Sequence, residues 1–223
     1  MQIRDWMTTD VVTATPETSM LKVSKMMKEY NIRRVPVVDP SHHVIGIISD
    51  RDVKDASPSK ATTLDMHELY YLLSEVKARD IMTPNPVTVN LRDTVERVAL
   101  LILERGIGGL PVVDDDGLLV GIITDHDLFK ILVEVSGVRK GGVQMAVAFR
   151  DGVGVLLPLF DLLRAHNASL VSILTAASRL GPDMREVYLR ISPMERSEEN
   201  RLIEEVRARF HMLYWVRENV HEV

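Results

Sequence analysis

The chain repeats itself. Displaced by 75 positions, residues 4–53 fall on residues 79–128 without a gap, and 18 of those 50 positions are identical. The identities include Asp5/Asp80, Met7/Met82, Thr13/Thr88, Pro36/Pro111, Asp39/Asp114, Gly46/Gly121 and Asp52/Asp127. A unit this short cannot bury its own apolar face well, so the two copies are expected to pack on each other about an approximate two-fold axis. The closest echo is Gly46-Ile47-Ile48-Ser49-Asp50-Arg51-Asp52 against Gly121-Ile122-Ile123-Thr124-Asp125-His126-Asp127. The isoleucine pair reads as a short buried strand. A hydroxyl residue followed three positions later by an acid is a helix start, with Ser49 or Thr124 as cap and Asp52 or Asp127 in the first turn. Such a start is also a good place to hold a sugar and its phosphates.

Each copy reads as strand, helix, strand, strand, helix. In the first, residues 11–14 are extended, and Thr18 or Ser19 caps a helix running to about Tyr30 with Met20, Val23, Met26 and Met27 at helical spacing. Residues 35–38 form a strand whose early proline suggests an edge, residues 39–42 a turn, and residues 44–48 the returning strand of a hairpin. The second copy has Asp114-Asp115-Asp116-Gly117 as its turn. These boundaries give copies at 1–56 and 78–136. Between them, residues 57–77 form a linker that opens on Pro/Ser/Lys-rich sequence and carries an amphipathic helix over 64–76, with Leu69, Leu72, Leu73 and Val76 on one face. A glycine-rich stretch at 137–142 marks the next boundary.

Residues 143–220 follow a different period. Val143, Met145, Val147 and Phe149 alternate, a glycine loop follows at 151–154, and a helix is predicted over 155–166 with Leu156, Leu159, Leu162 and Leu163 inward and Pro158 in its first turn. Strands are predicted at 170–176, around Val187, Leu189 and Ile191, and at 213–216; Ser197 caps a second helix with Glu198 and Glu199 early and Arg207 and Arg209 late. The order is βαββαβ, an antiparallel sheet with two helices on one face.

Composition narrows the function classes. A net charge of −5 gives no global basic character, which argues against nucleic acid or an anionic membrane as partner. The absence of cysteine excludes disulfides, thiolate metal sites and cysteine nucleophiles. Residues 1–6 lack the apolar core of a signal peptide and no run approaches a membrane span, so a cytoplasmic location is expected. His42-His43 reads as a solvated turn, and Asp114-Asp115-Asp116-Gly117 lacks the further spaced ligands of a calcium loop. No catalytic constellation emerges, so the chain reads as no enzyme, with no metal and no cofactor.

On Met7-Thr8, Val35-Pro36-Val37-Val38-Asp39, residues 46–52 and their partners 75 positions on, the doubled unit resembles a CBS-domain pair, or Bateman module. The C-terminal part resembles an ACT domain. The combination is similar to CBS–ACT proteins of the acetoin-utilisation accessory type, which implies an α+β and α/β architecture: a pseudo-two-fold CBS tandem followed by a ferredoxin-like ACT domain. The CBS resemblance implies a regulatory ligand of the adenosine class, AMP, ADP, ATP or S-adenosylmethionine. It implies that Asp52 and Asp127 accept hydrogen bonds from ribose hydroxyls, a role that suits a carboxylate. Ser49 and Thr124 would help at the sugar or first phosphate. The base would lie against Val12-Thr13 and Ile32-Arg33 in one copy and Val87-Thr88 and Ile107-Gly108 in the other. Arg51 and His126 stand at matching positions where phosphates would lie, Arg with a fixed fork and His best when protonated. The alternative is that Asp52 and Asp127 only cap helices. Arg33-Arg34 in the first copy is Gly108-Gly109 in the second, so the sites are expected to be unequal, the arginine-rich one favouring phosphate charge.

The ACT-like loop keeps Asp151 and Gly154 but has Val153 where that family usually has proline; its amide groups at a helix start suit a carboxylate such as an amino acid's. Many such modules only dimerise. The resemblance implies a homodimer. Three rival readings stand beside nucleotide sensing: a regulatory subunit of a metabolic enzyme, a scaffold that binds no ligand, and an amino-acid sensor. A transcriptional regulator is disfavoured by the lack of a basic face or a helix-turn-helix.

Overall fold

The structure is a computed structural model that describes residues 1–57, 71 and 73–218. The chain divides into two compact units, Met1–Phe129 and Lys130–Val223. Most of the expected linker and its amphipathic helix lies outside the described residues.

In the first unit the copies follow one plan. The first runs α1 (Met20–Glu29), β1 (Arg34–Val38), β2 (Val44–Ser49) and α2 (Asp50–Asp55). The second runs α3 (Ala78–Ile81), β3 (Thr83–Pro84), β4 (Val89–Asn90), α4 (Val95–Arg105), β5 (Gly109–Val113), β6 (Leu119–Thr124) and α5 (Asp125–Ser136). Ser19 caps α1 by accepting from the Lys22 amide, and Thr94 caps α4 by accepting from that of Arg97. The buried residues of α1, Met20, Val23 and Met27, recur on α4 as Val95, Val98 and Ile102. Both helices are followed by a left-handed residue at the same repeat position, Asn31 (φ 52°) and Gly106 (φ 62°). Both hairpins carry a bulge at the equivalent step and turn on an aspartate: Asp39 Oδ1 accepts from the Ser41 and His43 amides, Asp114 Oδ1 from those of Asp116 and Leu118.

The copies interlock. β3, from the second copy, pairs with β2 of the first, while Thr8 exchanges both backbone bonds with Ile122 on β6. Gly46 and Gly121 make room for this: a Cβ at either would overlap Met82 or Met7. The hairpin turns meet at a His43–Leu118 bridge.

The first strand of each copy is shorter than expected. In the second it spans only β4, parallel to β5. In the first it is reduced to an isolated bridge, Ala14 to Val37. The Leu91 amide continues the second ladder by donating to the Val113 carbonyl at 3.1 Å, but Pro16 stands at the equivalent position and has no N–H to give. Pro36 lies on an edge strand, as the sequence suggests; Pro111 lies on a central one, just ahead of the residues that pair with β4.

The second unit contains β7 (Gly142–Arg150), α6 (Leu157–Ala165), β8 (Leu170–Ala177), β9 (Met184–Ile191), α7 (Arg196–Arg209) and β10 (His211–Glu218). The sheet order is β10-β7-β9-β8, antiparallel throughout. The alternation on β7 and β9 places Val143, Met145, Val147, Val187, Leu189 and Ile191 against Leu159, Leu162, Leu202 and Val206 of the helices. Ser197 does not cap α7: the helix begins at Arg196 with Glu195 at the N-cap, two residues ahead of the expected cap, and the Glu199 amide donates to the Glu195 carbonyl at 2.9 Å. The division between units falls inside α5, ahead of the glycine-rich stretch. The last turn of α5 is tied to the second unit because the Ser136 carbonyl accepts from Ser172 Oγ at 2.7 Å and from Arg190 Nε at 3.1 Å.

Candidate functional site

The repeated helix start closes on itself in the same way in both copies. Asp52 Oδ2 accepts from the Ser49 amide at 2.6 Å and from Ser49 Oγ at 2.7 Å, while the Asp52 amide donates to Ser49 Oγ at 3.3 Å. Asp127 Oδ2 accepts from the Thr124 amide at 3.0 Å and from Thr124 Oγ1 at 2.7 Å, with the Asp127 amide returning to Thr124 Oγ1 at 3.3 Å. Capping is therefore a real role of both acids. It occupies one oxygen of the Asp52 carboxylate, and Oδ1 has no hydrogen bond among the described residues. Asp127 is buried and Asp52 half-buried.

The same geometry limits Ser49 and Thr124. Each hydroxyl gives its one hydrogen to the aspartate and takes one from the aspartate amide, leaving a lone pair. A sugar hydroxyl can donate to that lone pair; a phosphate, which only accepts, gains nothing from it.

Sheet register brings the remaining candidates to these loops. Arg34 lies opposite Ser49 and Gly109 opposite Thr124. The Arg33 carbonyl accepts from the Asp50 amide at 2.9 Å and the Gly108 carbonyl from the Asp125 amide at 3.0 Å. Ile32 is half-buried and packs against the cluster of Ala14, Met27, Val35 and Ile48; Ile107 is half-buried at the matching position. Val12 and Thr13 are half-buried ahead of the Ala14 bridge, while Val87 and Thr88 are exposed ahead of β4. Arg33, Arg51 and His126 are exposed, the last two in the first turns of α2 and α5.

Arg34 is the functional candidate that sequence reasoning missed. Its side chain crosses from the first copy to the second, where a Cβ on Gly108 would overlap its guanidinium and one on Gly109 would stand 3.2 Å from its Cδ. The two glycines are the space Arg34 fills. The available signal was the Arg33-Arg34 to Gly108-Gly109 exchange, which announced unequal copies but not where the guanidinium goes. The hydrogen bond from Lys54 holds the Asp50 carboxyl below the usual carboxylate range, aided against burial by the charges of Lys54, Arg33 and Arg34.

In the second unit Asp151 is already engaged. Arg185 grips it with Nε at 3.1 Å and Nη2 at 3.0 Å, and that fork lowers the Asp151 pKa and raises that of Arg185. Gly154 has φ 76° and precedes α6 by three residues, so the loop does not place it in the helix's first turn.

A family model for the CBS domain matches residues 3–59 and 78–134. Protein MK0525 of Methanopyrus kandleri is 34% identical over 122 residues, 55% of this chain, which spans 58% of that protein's length. A CBS domain-containing protein of Dictyostelium discoideum is 32% identical over 133 residues, 60% of this chain and 92% of that protein. Among solved structures, the CBS domain pair of protein MJ0100, in complex with 5-methylthioadenosine and S-adenosyl-L-methionine, has a TM-score of 0.50 and 26% identity, covering 59% of this chain and 95% of that one. CBSX2 of Arabidopsis thaliana, in complex with AMP, has a TM-score of 0.50 and 29% identity, covering 60% and 97%. A Vibrio cholerae protein named AcuB, for acetoin utilization, has a TM-score of 0.50 and 28% identity, covering 60% and 90%. Among the described residues, no helix is long and apolar enough to cross a membrane.

Proposed function

The chain belongs to the CBS-domain family, and on that premise we propose that it is a non-catalytic sensor that binds an adenosine-containing molecule, AMP, ADP, ATP or S-adenosylmethionine, in the cleft of its paired copies. The observation that carries this reading is the doubled Ser/Thr–Asp loop, complete in both copies, with a guanidinium delivered from one copy to the other beside it. AMP in CBSX2 and S-adenosylmethionine in the MJ0100 pair support the ligand class. Asp52 and Asp127 take the ribose hydroxyls, and Val12-Thr13, Ile32-Arg33, Val87-Thr88 and Ile107-Gly108 the base. Arg34, Arg51 and His126 take phosphate charge.

The ligand acts by population shift. It favours one relative arrangement of the copies only by the difference in its affinity for the two, and the change passes along residues 133–142 to the second unit or to a partner. The second unit has the strand order of an ACT-like module, and we assign it that role. A homodimer, a cytoplasmic location, a metabolic-enzyme partner and a link to acetoin or central carbon metabolism belong to the same proposal; the likeness to AcuB supports the last.

The second reading is a scaffold or regulatory subunit without nucleotide sensing, favoured by the fact that helix capping alone accounts for every hydrogen bond given above for Asp52. A thermal-shift screen of the full chain decides. A sensor with ligand at a hundred times its Kd gains about 2.7 kcal/mol, a rise of several degrees. A scaffold melts at the same temperature with every adenosine compound.

A further inference from the structure

We infer that the second unit carries a separate binding pocket for a small organic anion, at the end of its sheet opposite the Asp151–Gly154 loop. The pocket is a cavity of about 400 Å³ where β7 begins, β10 ends and the chain enters α7. β7 is nine residues long, and at about 3.3 Å per residue the two ends lie roughly 27 Å apart. The inference does not rest on the nucleotide reading, because every lining residue belongs to the second unit.

The acids of the pocket are already matched. Glu199, 3% exposed, is held by Arg217, whose Nε donates to Oε1 at 3.1 Å and to Oε2 at 3.2 Å and whose Nη2 also reaches Oε1. Glu218 Oε2 is paired in charge with Arg190 Nη2 at 2.6 Å, although the geometry is not that of a hydrogen bond and that buried oxygen accepts none among the described residues. Arg190 is 2% exposed and is fixed further by the Ser136 and Gly141 carbonyls. These two pairs form a charge-neutral floor.

The cations are not matched. Arg139, Lys140 and Arg196 line the same cavity and make no ion pair among the described residues. They are exposed, and they converge on the mouth from two separate elements, the turn at Val138–Lys140 and the first turn of α7. Gly142, at φ 87°, keeps the wall open: a Cβ there would overlap the Ile191 carbonyl oxygen. Pro193 and Met194 add an apolar wall. Unpaired cations held around a concavity repel one another, and a bound anion relieves that repulsion while the guanidinium forks take its oxygens two at a time. The apolar wall favours a carbon-bearing anion, a carboxylate or a phosphate ester, over a bare ion.

Calorimetric titration of the full chain with citrate and, separately, with glycerol 3-phosphate tests this, sodium chloride holding the ionic strength constant. The expected result is saturable binding of at least one probe, with the stronger naming the group as carboxylate or phosphate. Affinity falls about ten-fold or more in Arg196→Gln and in Arg139→Gln, and is unchanged in Asp127→Asn. The substituted side chains are exposed and unpaired, so the variants keep the fold, which circular dichroism checks. Lys140→Gln provides a third variant. Absence of saturable binding of both probes, or binding that all three charge variants leave untouched, overturns the pocket.

Discussion

The two copies of the repeat share a backbone plan and differ in what stands at their centre. The helix caps match atom for atom, the bulges fall at the same step, and the left-handed residues after the first helix and in the hairpin turn, Asn31/Gly106 and His42/Gly117, occupy the same positions. Yet where the first copy has Arg33-Arg34 the second has Gly108-Gly109, and Arg34 lies across those glycines. An approximate two-fold axis forces this choice: two large side chains related by it would compete for one volume, so one copy gives up its side chains to receive the other's. Duplication supplies the scaffold, and divergence at one dipeptide makes the two copies unequal around Arg34. The charge of Arg34 is felt by Asp50 in the loop of the first copy, while its side chain reaches the second.

The largest expected effect separates the copies by binding. Asp127→Asn and Asp52→Asn each retain an oxygen for the cap while removing the charge, and each is expected to lower affinity for ATP by roughly 10- to 100-fold at its own site. The loss is larger for Asp127, whose copy receives the Arg34 side chain over Gly108 and Gly109. Isothermal titration of the separate variants reads this directly, and equal losses remove the asymmetry.

Next comes packing. Gly108→Ala forces Arg34 out of its place and costs about 1–3 kcal/mol by urea unfolding. In an Arg34→Ala background the same change costs much less, a coupling that a double-mutant cycle measures. Additive costs in the cycle contradict the contact.

The caps are expected to be equal where the centre is not. Ser49→Ala and Thr124→Ala each lose about 1 kcal/mol, and a clear difference between them, in the same unfolding assay, breaks the equivalence of the two loops.

The smallest effect concerns Asp50. Lys54 holds its carboxyl low in the first copy; the second copy has Phe129 at the matching position. A depressed folded pKa stabilises above the unfolded value of about 3.8 and is lost as pH falls through the folded one. Lys54→Met therefore raises the Asp50 titration midpoint seen by NMR and slightly weakens stability between pH 4 and 7, with little change at the acid end.

Much of this was legible because duplication writes each element twice. The hairpins and caps of the first unit and the alternating strands of the second follow from local chemistry that period and turn residues report, whereas the Ser197 cap does not form. What the sequence hid depends on partners far along the chain. The exchange of Thr8 and Thr83 between copies involves pairings of one or two residues, too short to leave a period. The lost first strand turns on a single missing N–H at Pro16, visible only once Leu91 is seen to donate its own. The destination of Arg34 required the register of β1 against β2 and the emptiness of two glycines on another strand. Asp151, read as part of a ligand loop, had a partner 34 residues away in Arg185.

The central claim is that the paired acidic loops hold an adenosine sugar. Calorimetric titration of AMP into the full chain and into the Asp52→Asn/Asp127→Asn double variant tests it most directly. The account predicts saturable binding to the native chain and its loss in the variant. AMP binding that survives both substitutions, or a native chain indifferent to AMP, ATP and S-adenosylmethionine alike, contradicts it.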